Sequence, residues 1–318
     1  MLFTLSSCKK NESDVSYNSN DETDIRTTEA ETTESESTTE NVTLNETVVT
    51  KSEYGKNTGT DKTLTGLEPL DLIDFRVEDP ANSKGLSTEK IAHAYGVAKN
   101  ETPNDISVAS QKHFDDGNFN ALTLDNKTEE KIVYLTFDVG YDNGYTGMIL
   151  DTLKEKNVKA AFFCTLSYIK QNPGLVSRMI NEGHIVGNHS NTHPNFPTIS
   201  RTRMAEEIYA VEKYLKDNYN YSAPYFRFPS GAHSESALEL VTSMGYKSIF
   251  WSFAYVDWET ANQPDPTVAF EKIKGCFYPG SVPLLHAVST TNTTLLPQII
   301  DYAHSQGYTF LSLDDYYK

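Results

Sequence analysis

Short apolar runs alternate with helical patterns along the second part of the chain, from about residue 131 onward. Seven runs are rich in β-branched and aromatic residues, and the six segments between them carry apolar residues at helical spacing. The seven runs are 132–137, 160–164, 184–188, 225–228, 247–251, 282–286 and 309–313. Regular alternation of this kind predicts an α/β fold with parallel strands joined by right-handed crossovers. Seven such units fit either a barrel or an open, doubly wound sheet.

The first 65 residues have a composition that argues against a packed core. They contain 13 acidic residues, 6 basic residues and 23 Ser or Thr, which is typical of disordered segments. We therefore expect a disordered acidic tether at 1–65, an N-terminal extension packed on the barrel at 66–130, and the main domain at 131–318. Within the extension, the pattern at 86–98 predicts a helix.

Charge and cysteine content exclude several classes of protein. The net charge of −17 argues against a nucleic-acid-binding protein, which needs a basic face to neutralise phosphates. No apolar stretch of the sequence reaches the roughly 18 residues that a membrane span needs. The three cysteines, Cys8, Cys164 and Cys276, cannot form a disulfide framework and lack the Cys-x-x-Cys spacing of many metal sites. Cys164 ends an apolar run and is predicted to be buried.

The segment LSSC at 5–8 resembles a bacterial lipobox, in which Leu and two small residues precede a lipidated Cys. The resemblance implies lipidation of Cys8 and a true start that lies upstream of Met1 or was clipped. The polar tract that follows fits a tether to a membrane, and firm anchoring needs more than one acyl chain. A free cysteine near the terminus is the alternative. We expect an extracytoplasmic protein, membrane-anchored or secreted to a bacterial cell wall.

Ionisable residues follow or end most of the predicted strands. In parallel α/β folds, ligands bind at the C-terminal ends of the strands, so we expect these side chains to meet on one face. They are Asp138, His189, His193, Arg227, Asp257 and His286. Each of them alone has a structural alternative, such as a turn, a solvated loop or a buried ion pair. Their shared position relative to the strands indicates a site.

The residue types indicate the chemistry of this site. His189 and His193 lie four residues apart, and neutral imidazole is a favoured Zn²⁺ ligand. A carboxylate at a strand end, such as Asp138, can act as a general base. Arg227 requires a carboxylate partner because it cannot lose its charge. A histidine such as His286 can protonate a leaving amine near neutral pH, and a carboxylate such as that of Asp257 can orient it.

Five motifs resemble those of the polysaccharide deacetylases, the NodB-homology group of carbohydrate esterase family 4. The motifs are TFDVG at 136–140 (TFDDG in the family), HSNTH at 189–193 (H-[ST]-x-x-H), RFPSG at 227–231 (R-x-P-x-G), VDW at 256–258 (ending in Asp-Trp) and LLH at 284–286 (L-x-H). The resemblance covers residues 131–315. It implies a distorted (β/α)₇ barrel and an enzyme that hydrolyses the N-acetyl group of an amino sugar.

The resemblance also implies catalytic roles. Asp138 would be the general base, and Arg227 would orient it. His286 would be the general acid, and Asp257 would tune it.

Further residues would hold the substrate. The backbone N–H of Ser230, next to Gly231, would help to hold the oxyanion. Trp258 and Leu284 would wall the pocket for the acetyl methyl group.

The metal site departs from the family pattern. His189 and His193 would bind a divalent metal, with zinc as the expected ion. The Asp that normally provides the third ligand is Val139 here, and valine has no lone pair to donate. Two histidines fall short of the three protein ligands typical of catalytic zinc. Asp142 or a water would have to take the place, which would weaken metal binding or change the preferred metal.

Longer segments, among them YDNGYT, GHIVGNHS, FWSFAYVDW and LLHAVS, resemble the delta-lactam-biosynthetic de-N-acetylases of spore-formers. In that subgroup an Asn can replace the same Asp. The resemblance implies deacetylation of N-acetylmuramic acid in peptidoglycan that lacks its stem peptide, as in muramic delta-lactam formation in the spore cortex. The expected partner is a peptidoglycan glycan strand, and the expected state is a monomer.

Two alternatives stay open. One is a deacetylase of N-acetylglucosamine in peptidoglycan or another glycan. The other is a catalytically silent glycan-binding module, because Val139 replaces a metal ligand. The retained acid and base residues favour an enzyme.

Overall fold

Seven parallel strands form the central sheet of the protein, which we describe from a computed structural model. The structure describes residue 77, residues 79–222 and residues 224–318. Cys8 and the acidic segment 1–65 lie outside the described residues, as do 66–76 and positions 78 and 223. All described residues belong to one compact unit.

The described residues form eleven strands. In chain order they are β1 (Ile91–Ala92), β2 (Ala121–Leu122), β3 (Ile132–Val133), β4 (Thr136–Val139), β5 (Ala161–Cys164), β6 (Ile185–Asn188), β7 (Tyr225–Phe226), β8 (Ala232–His233), β9 (Lys247–Ile249), β10 (Leu284–His286) and β11 (Thr309–Phe310). The central sheet has the order β10-β4-β5-β6-β7-β9-β2, and every neighbouring pair in it is parallel.

Two backbone hydrogen bonds close this sheet into a barrel. Beyond the end of β9, Ser252 N donates to Val282 O at 2.9 Å, and Leu284 N of β10 donates to Phe253 O at 2.9 Å. These bonds join the chain after β9 to β10, which already lies beside β4 on its other edge. The expected distorted (β/α)₇ barrel is therefore confirmed.

Six helices lie where the apolar spacing predicts them: Thr146–Glu155, Pro173–Asn181, Arg201–Tyr219, Glu235–Ser243, Pro266–Lys274 and Thr290–Ser305. The described residues also form the helices Asp105–Asp116, Leu166–Gln171 and Leu313–Tyr316, which the spacing does not predict. The short helix Leu166–Gln171, which Thr165 caps, was not predicted. The last strand is shorter than the predicted run 309–313, because Ser312 and Asp315 form a capping box that begins a helix at Leu313.

The helix predicted at 86–98 is wrong. Ile91 and Ala92 form β1 instead, which pairs antiparallel with β8. Ile91 and Val97 stay exposed, so the apolar spacing has no core to pack against, and pairing with β8 satisfies the backbone. The helix of this region lies further on, at Asp105–Asp116.

One expectation about the core is confirmed. Cys164 is buried, as predicted, and both Cys164 and Cys276 are free thiols within the part of the chain that the structure describes. Among the described residues, no helix combines the length and the apolar character that a membrane crossing needs. Strand β2 comes from the expected N-terminal extension, yet it belongs to the central sheet beside β9.

Gly280 joins this extension to the barrel, and its substitution tests that contact. Its φ is +81°, and a Cβ added there would lie 2.1 Å from Asp125 O. The backbone N–H of Asp125 donates to Gly280 O at 2.9 Å. We expect Gly280→Ala to lower the free energy of unfolding by about 2–5 kcal/mol in urea titrations, from backbone strain and overpacking.

Gly174→Ala is the matched control. Gly174 lies in the helix Pro173–Asn181, and an added Cβ there meets no atom within 4 Å. We expect it to leave the free energy of unfolding unchanged or to raise it by about 1 kcal/mol. Equal effects of the two substitutions would contradict the packing described for Gly280.

Candidate active site

The guanidinium of Arg227 lies fully buried inside the barrel, directly after β7. Its Nη1 donates to Asp138 Oδ1 at 2.9 Å. Its Nε donates to Ile249 O at 2.8 Å, and its Nη2 donates to Thr136 Oγ1 and Phe250 O, both at 3.0 Å. These contacts fix the side chain between β4 and the end of β9, and they give Asp138 the cationic partner that the sequence predicts.

Asp138 is held in its ionised form. Burial by itself would raise the pKa of its carboxyl, but the charge of Arg227, together with His189 and His286, holds that pKa below its usual value. One carboxylate oxygen is bonded to Arg227, and the other, Oδ2, lies 3.6 Å from His189 Nε2. At neutral pH Asp138 is therefore a proton acceptor that faces the histidine pair.

The histidine pair is oriented for binding a cation. His189 Nδ1 donates to Arg227 O at 2.9 Å, and a carbonyl can only accept, so Nε2 keeps its lone pair. The rings of His189 and His193 lie 4.9 Å apart between centroids. Burial lowers the pKa of His189 to about 4 and also lowers the pKa of His193. Both imidazoles are therefore neutral at pH 7, as metal ligands must be.

Glu207 holds the loop that carries these histidines. Its buried carboxylate accepts from Thr192 N at 2.6 Å and from Thr192 Oγ1 at 2.8 Å, and Arg203 Nη2 pairs with it at 2.5 Å. The loop needs such support because Ser190 and His193 both have left-handed backbone, with φ of +67° and +56°. Glu207 was not among the predicted site residues; its signal in the sequence is a charged residue on the buried face of the helix Arg201–Tyr219.

The residues present fit only part of a metal site. Val139 is fully buried within the main hydrophobic core. Asp142 accepts a hydrogen bond from Thr146 Oγ1 at 2.8 Å. Within the described residues, no group of three or more His, Cys, Asp or Glu side chains could hold an ion. The structure thus brings His189 and His193 together without Asp142, whose role as third ligand stays a prediction that no described contact supports.

The fully buried Asp257 and the part-buried His286 form a second pair. His286 Nδ1 donates to Asp257 Oδ1 at 2.6 Å, and His286 N donates to Asp257 Oδ2 at 2.9 Å. Asn292 Nδ2 also donates to Asp257, at 2.5 Å. Burial favours neutral His286, but the hydrogen bond and charge of Asp257, aided by Asp138, raise its pKa above the ordinary value. Since Asp138 and His286 are register partners on β4 and β10, acid and base lie side by side.

The expected substrate-binding residues lie on the strand and loops that carry these pairs. Trp258 is about half exposed, and its ring centroid lies 5.2 Å from that of His286. Leu284 packs with Trp251 and Ala254 in a small cluster separate from the main core. Ser230 lies in the short turn Pro229–Gly231. Trp251 was not among the predicted site residues, although it lies in the apolar run that forms β9 and its extension.

The comparisons with known proteins agree with this geometry. The family model for polysaccharide deacetylases matches residues 125–249. The peptidoglycan-N-acetylmuramic acid deacetylase PdaA of Bacillus subtilis is 37% identical over 236 residues, which are 74% of this chain and 89% of PdaA. The solved structure of PdaA, a family 4 carbohydrate esterase, matches with a TM-score of 0.69, over 72% of this chain and 97% of that one. This chain belongs to the polysaccharide deacetylase family, carbohydrate esterase family 4.

Two further relatives of this chain differ from PdaA in their described function. The peptidoglycan-N-acetylglucosamine deacetylase PgdA of Listeria monocytogenes is 35% identical over 191 residues, which are 60% of this chain and 40% of PgdA. A solved structure from Bacillus anthracis, described as a family 4 pseudoenzyme, matches at 27% identity with a TM-score of 0.56, over 60% of this chain and 66% of that one. The family is thus confirmed as predicted, and its members include an inactive protein.

The contacts of Glu207 predict a stabilising role for this residue. In the deacetylase, Glu207→Gln puts a neutral amide in place of the buried carboxylate. That carboxylate accepts hydrogen bonds from Thr192 and Arg203. We expect the free energy of unfolding to fall by about 1–3 kcal/mol, and hydrogen exchange of the Thr192 amide to accelerate. Glu206→Gln, which removes an exposed partner of the same Arg203, should change both by much less. Equal effects would show that Glu207 does not hold the histidine loop.

Proposed function

We propose that this deacetylase hydrolyses the N-acetyl group of N-acetylmuramic acid in peptidoglycan that lacks its stem peptide. The observation that carries the proposal is the register pairing of Asp138 with His286. It places an ionised carboxylate beside a histidine with a raised pKa, which are the two forms that amide hydrolysis needs. The similarity to PdaA supports muramic acid as the sugar.

Asp138 acts first, as the base. It takes a proton from the water that attacks the acetamide carbonyl carbon, and Arg227 keeps the carboxylate aimed at that water. The developing oxyanion accepts a hydrogen bond from Ser230 N–H, next to Gly231, and a donor of this kind contributes about 3–4 kcal/mol.

His286 then completes the reaction. Its Nδ1 is bonded to Asp257, so Nε2 is the nitrogen that delivers a proton to the sugar amine. The carbon–nitrogen bond breaks, and acetate leaves with its methyl group against Leu284 and Trp258. Enzymes of this family are generally metalloenzymes, and a divalent ion at His189 and His193, expected to be zinc, would supply a water of lowered pKa.

The setting of the enzyme follows from its substrate. Peptidoglycan lies outside the cytoplasm, so we propose an extracytoplasmic enzyme that a lipid on Cys8 tethers to the membrane through the segment 1–65. The catalytic domain would span 131–318, and the extension 66–130 would supply β2 to its central sheet. Peptide-free muramic acid is the substrate for lactam formation in spore cortex, and we propose sporulation as the setting.

Two other functions have specific support. The similarity to PgdA favours N-acetylglucosamine as an alternative substrate. The burial of Val139 in the apolar core, together with the similarity to a family 4 pseudoenzyme, favours a glycan-binding module without activity.

Substitution of the proposed base and acid tests the mechanism. We expect Asp138→Asn and His286→Ala each to lower the rate of acetate release from peptide-free muramic acid glycan by about 10²–10⁴-fold. The control His304→Ala, at an exposed histidine, should leave the rate unchanged. Most of the activity surviving in either site variant would exclude the mechanism.

The same assay separates the alternatives. Faster acetate release from chitooligosaccharide than from muramic acid glycan would favour a glucosamine substrate. Glycan binding without acetate release, with activity gained in Val139→Asp, would show a binding module.

The pH profile tests the link between Asp257 and His286. The general acid must be protonated, so the rate falls as pH rises through the pKa of His286. Asp257 raises that pKa, and Asp257→Asn removes its charge. We therefore expect the high-pH limb of the rate profile to move to lower pH in Asp257→Asn but not in Asp301→Asn, a change at an exposed carboxylate. An unmoved limb would exclude His286 as the acid that Asp257 tunes.

A further inference from the structure

The turn after Arg227 has a backbone conformation that needs outside support. Ser230 and Gly231 are consecutive left-handed residues, with φ of +53° and +65°. For a residue with a side chain, this conformation costs about 1–2 kcal/mol, and it persists only where the surroundings hold it. The turn includes the Ser230 N–H, which is proposed to bind the oxyanion.

That support comes from a segment far earlier in the chain. His93 N donates to Gly231 O at 3.2 Å, and β1, just before His93, pairs with β8, just after the turn. A Cβ added at Gly231 would lie 2.7 Å from the Trp251 ring and 2.9 Å from His93 Cβ. Gly231 therefore lies directly against both His93 and Trp251.

The side chain of His93 also forms a hydrogen bond with Trp251. Its Nε2 lies 2.7 Å from Trp251 O, and Thr123 Oγ1 donates to the same oxygen at 2.9 Å. A carbonyl only accepts, so Nε2 is the donor. Burial lowers the pKa of His93 to about 3, which keeps the ring neutral. The ring also packs on Phe250, with 4.6 Å between centroids.

We propose that His93 is a positioning residue of the active site, which fixes the turn bearing the Ser230 N–H against Trp251. The proposal rests on the deacetylase function proposed above. His93 lies before the stretch that the family model matches. The match to PdaA spans 236 residues of similarity, whereas residues 125–318 number only 194. The match therefore includes part of this earlier segment. The N-terminal extension is in this view a working part of the catalytic unit.

The test compares two substitutions of His93. His93→Phe keeps a ring between Phe250 and Trp251 but removes the donor to Trp251 O, whereas His93→Gln keeps an N–H that can reach that oxygen. The oxyanion forms only along the reaction, so a displaced N–H lowers kcat rather than raising KM. We expect His93→Phe to lower kcat for acetate release about tenfold or more with KM changed less than about twofold. His93→Gln should restore most of kcat.

The control is His113→Phe, the same chemical change in the helix Asp105–Asp116 of the same extension. His113 packs on Phe114 and Phe119 and has no described contact with the turn, so its kcat should match that of the unsubstituted enzyme. Thr123→Val, which removes the second donor to Trp251 O, should lower kcat by a smaller factor and serves if His93→Phe does not fold.

Two results would overturn the positioning role of His93. One is an equal kcat in His93→Phe and His113→Phe. The other is an equal loss of kcat in His93→Phe and His93→Gln that is accounted for by a smaller amount of folded protein. If His93→Phe does not fold, an unchanged kcat in Thr123→Val would overturn it as well. Failure of the unsubstituted chain to release acetate would instead overturn the deacetylase function, and the positioning role with it.

Discussion

The buried guanidinium of Arg227 is the interaction on which the rest of the site depends. It reaches Asp138 and Thr136 on β4 and the carbonyls of Ile249 and Phe250 at the end of β9. A buried cation must be paired, because breaking a buried ion pair leaves an uncompensated charge at a cost of about 3–5 kcal/mol. The barrel therefore cannot form in this way without bringing an ionised carboxylate to its centre.

The backbone of Arg227 also orients one of the two histidines, His189. The carbonyl of Arg227 accepts from His189 Nδ1, so one residue orients both the base and the nearer of the two imidazoles. On the other side of Asp138, the register of β4 with β10 presents His286, with Asp257 behind it. Two titratable groups whose pKa values move in opposite directions mark a division between proton acceptor and proton donor.

Sequence patterns predict the site residues that strand order places together. They do not predict the residues whose position depends on contacts between distant parts of the chain. Asp138 and His286 could be placed together because parallel strands end at the same edge of a sheet. The helix expected at 86–98 failed because pairing with β8, about 140 residues away, outweighs apolar spacing. Glu207 and His93 were missed because each acts on a loop that no local periodicity connects with it.

A crystal structure of the full chain with acetate, the reaction product, would show whether base and acid share one site. We expect one acetate within hydrogen-bond distance of His286 Nε2, beside Asp138, with its methyl group against Leu284. Acetate bound elsewhere, or Asp138 and His286 opening on different surfaces of the barrel, would show that they do not act on one amide bond.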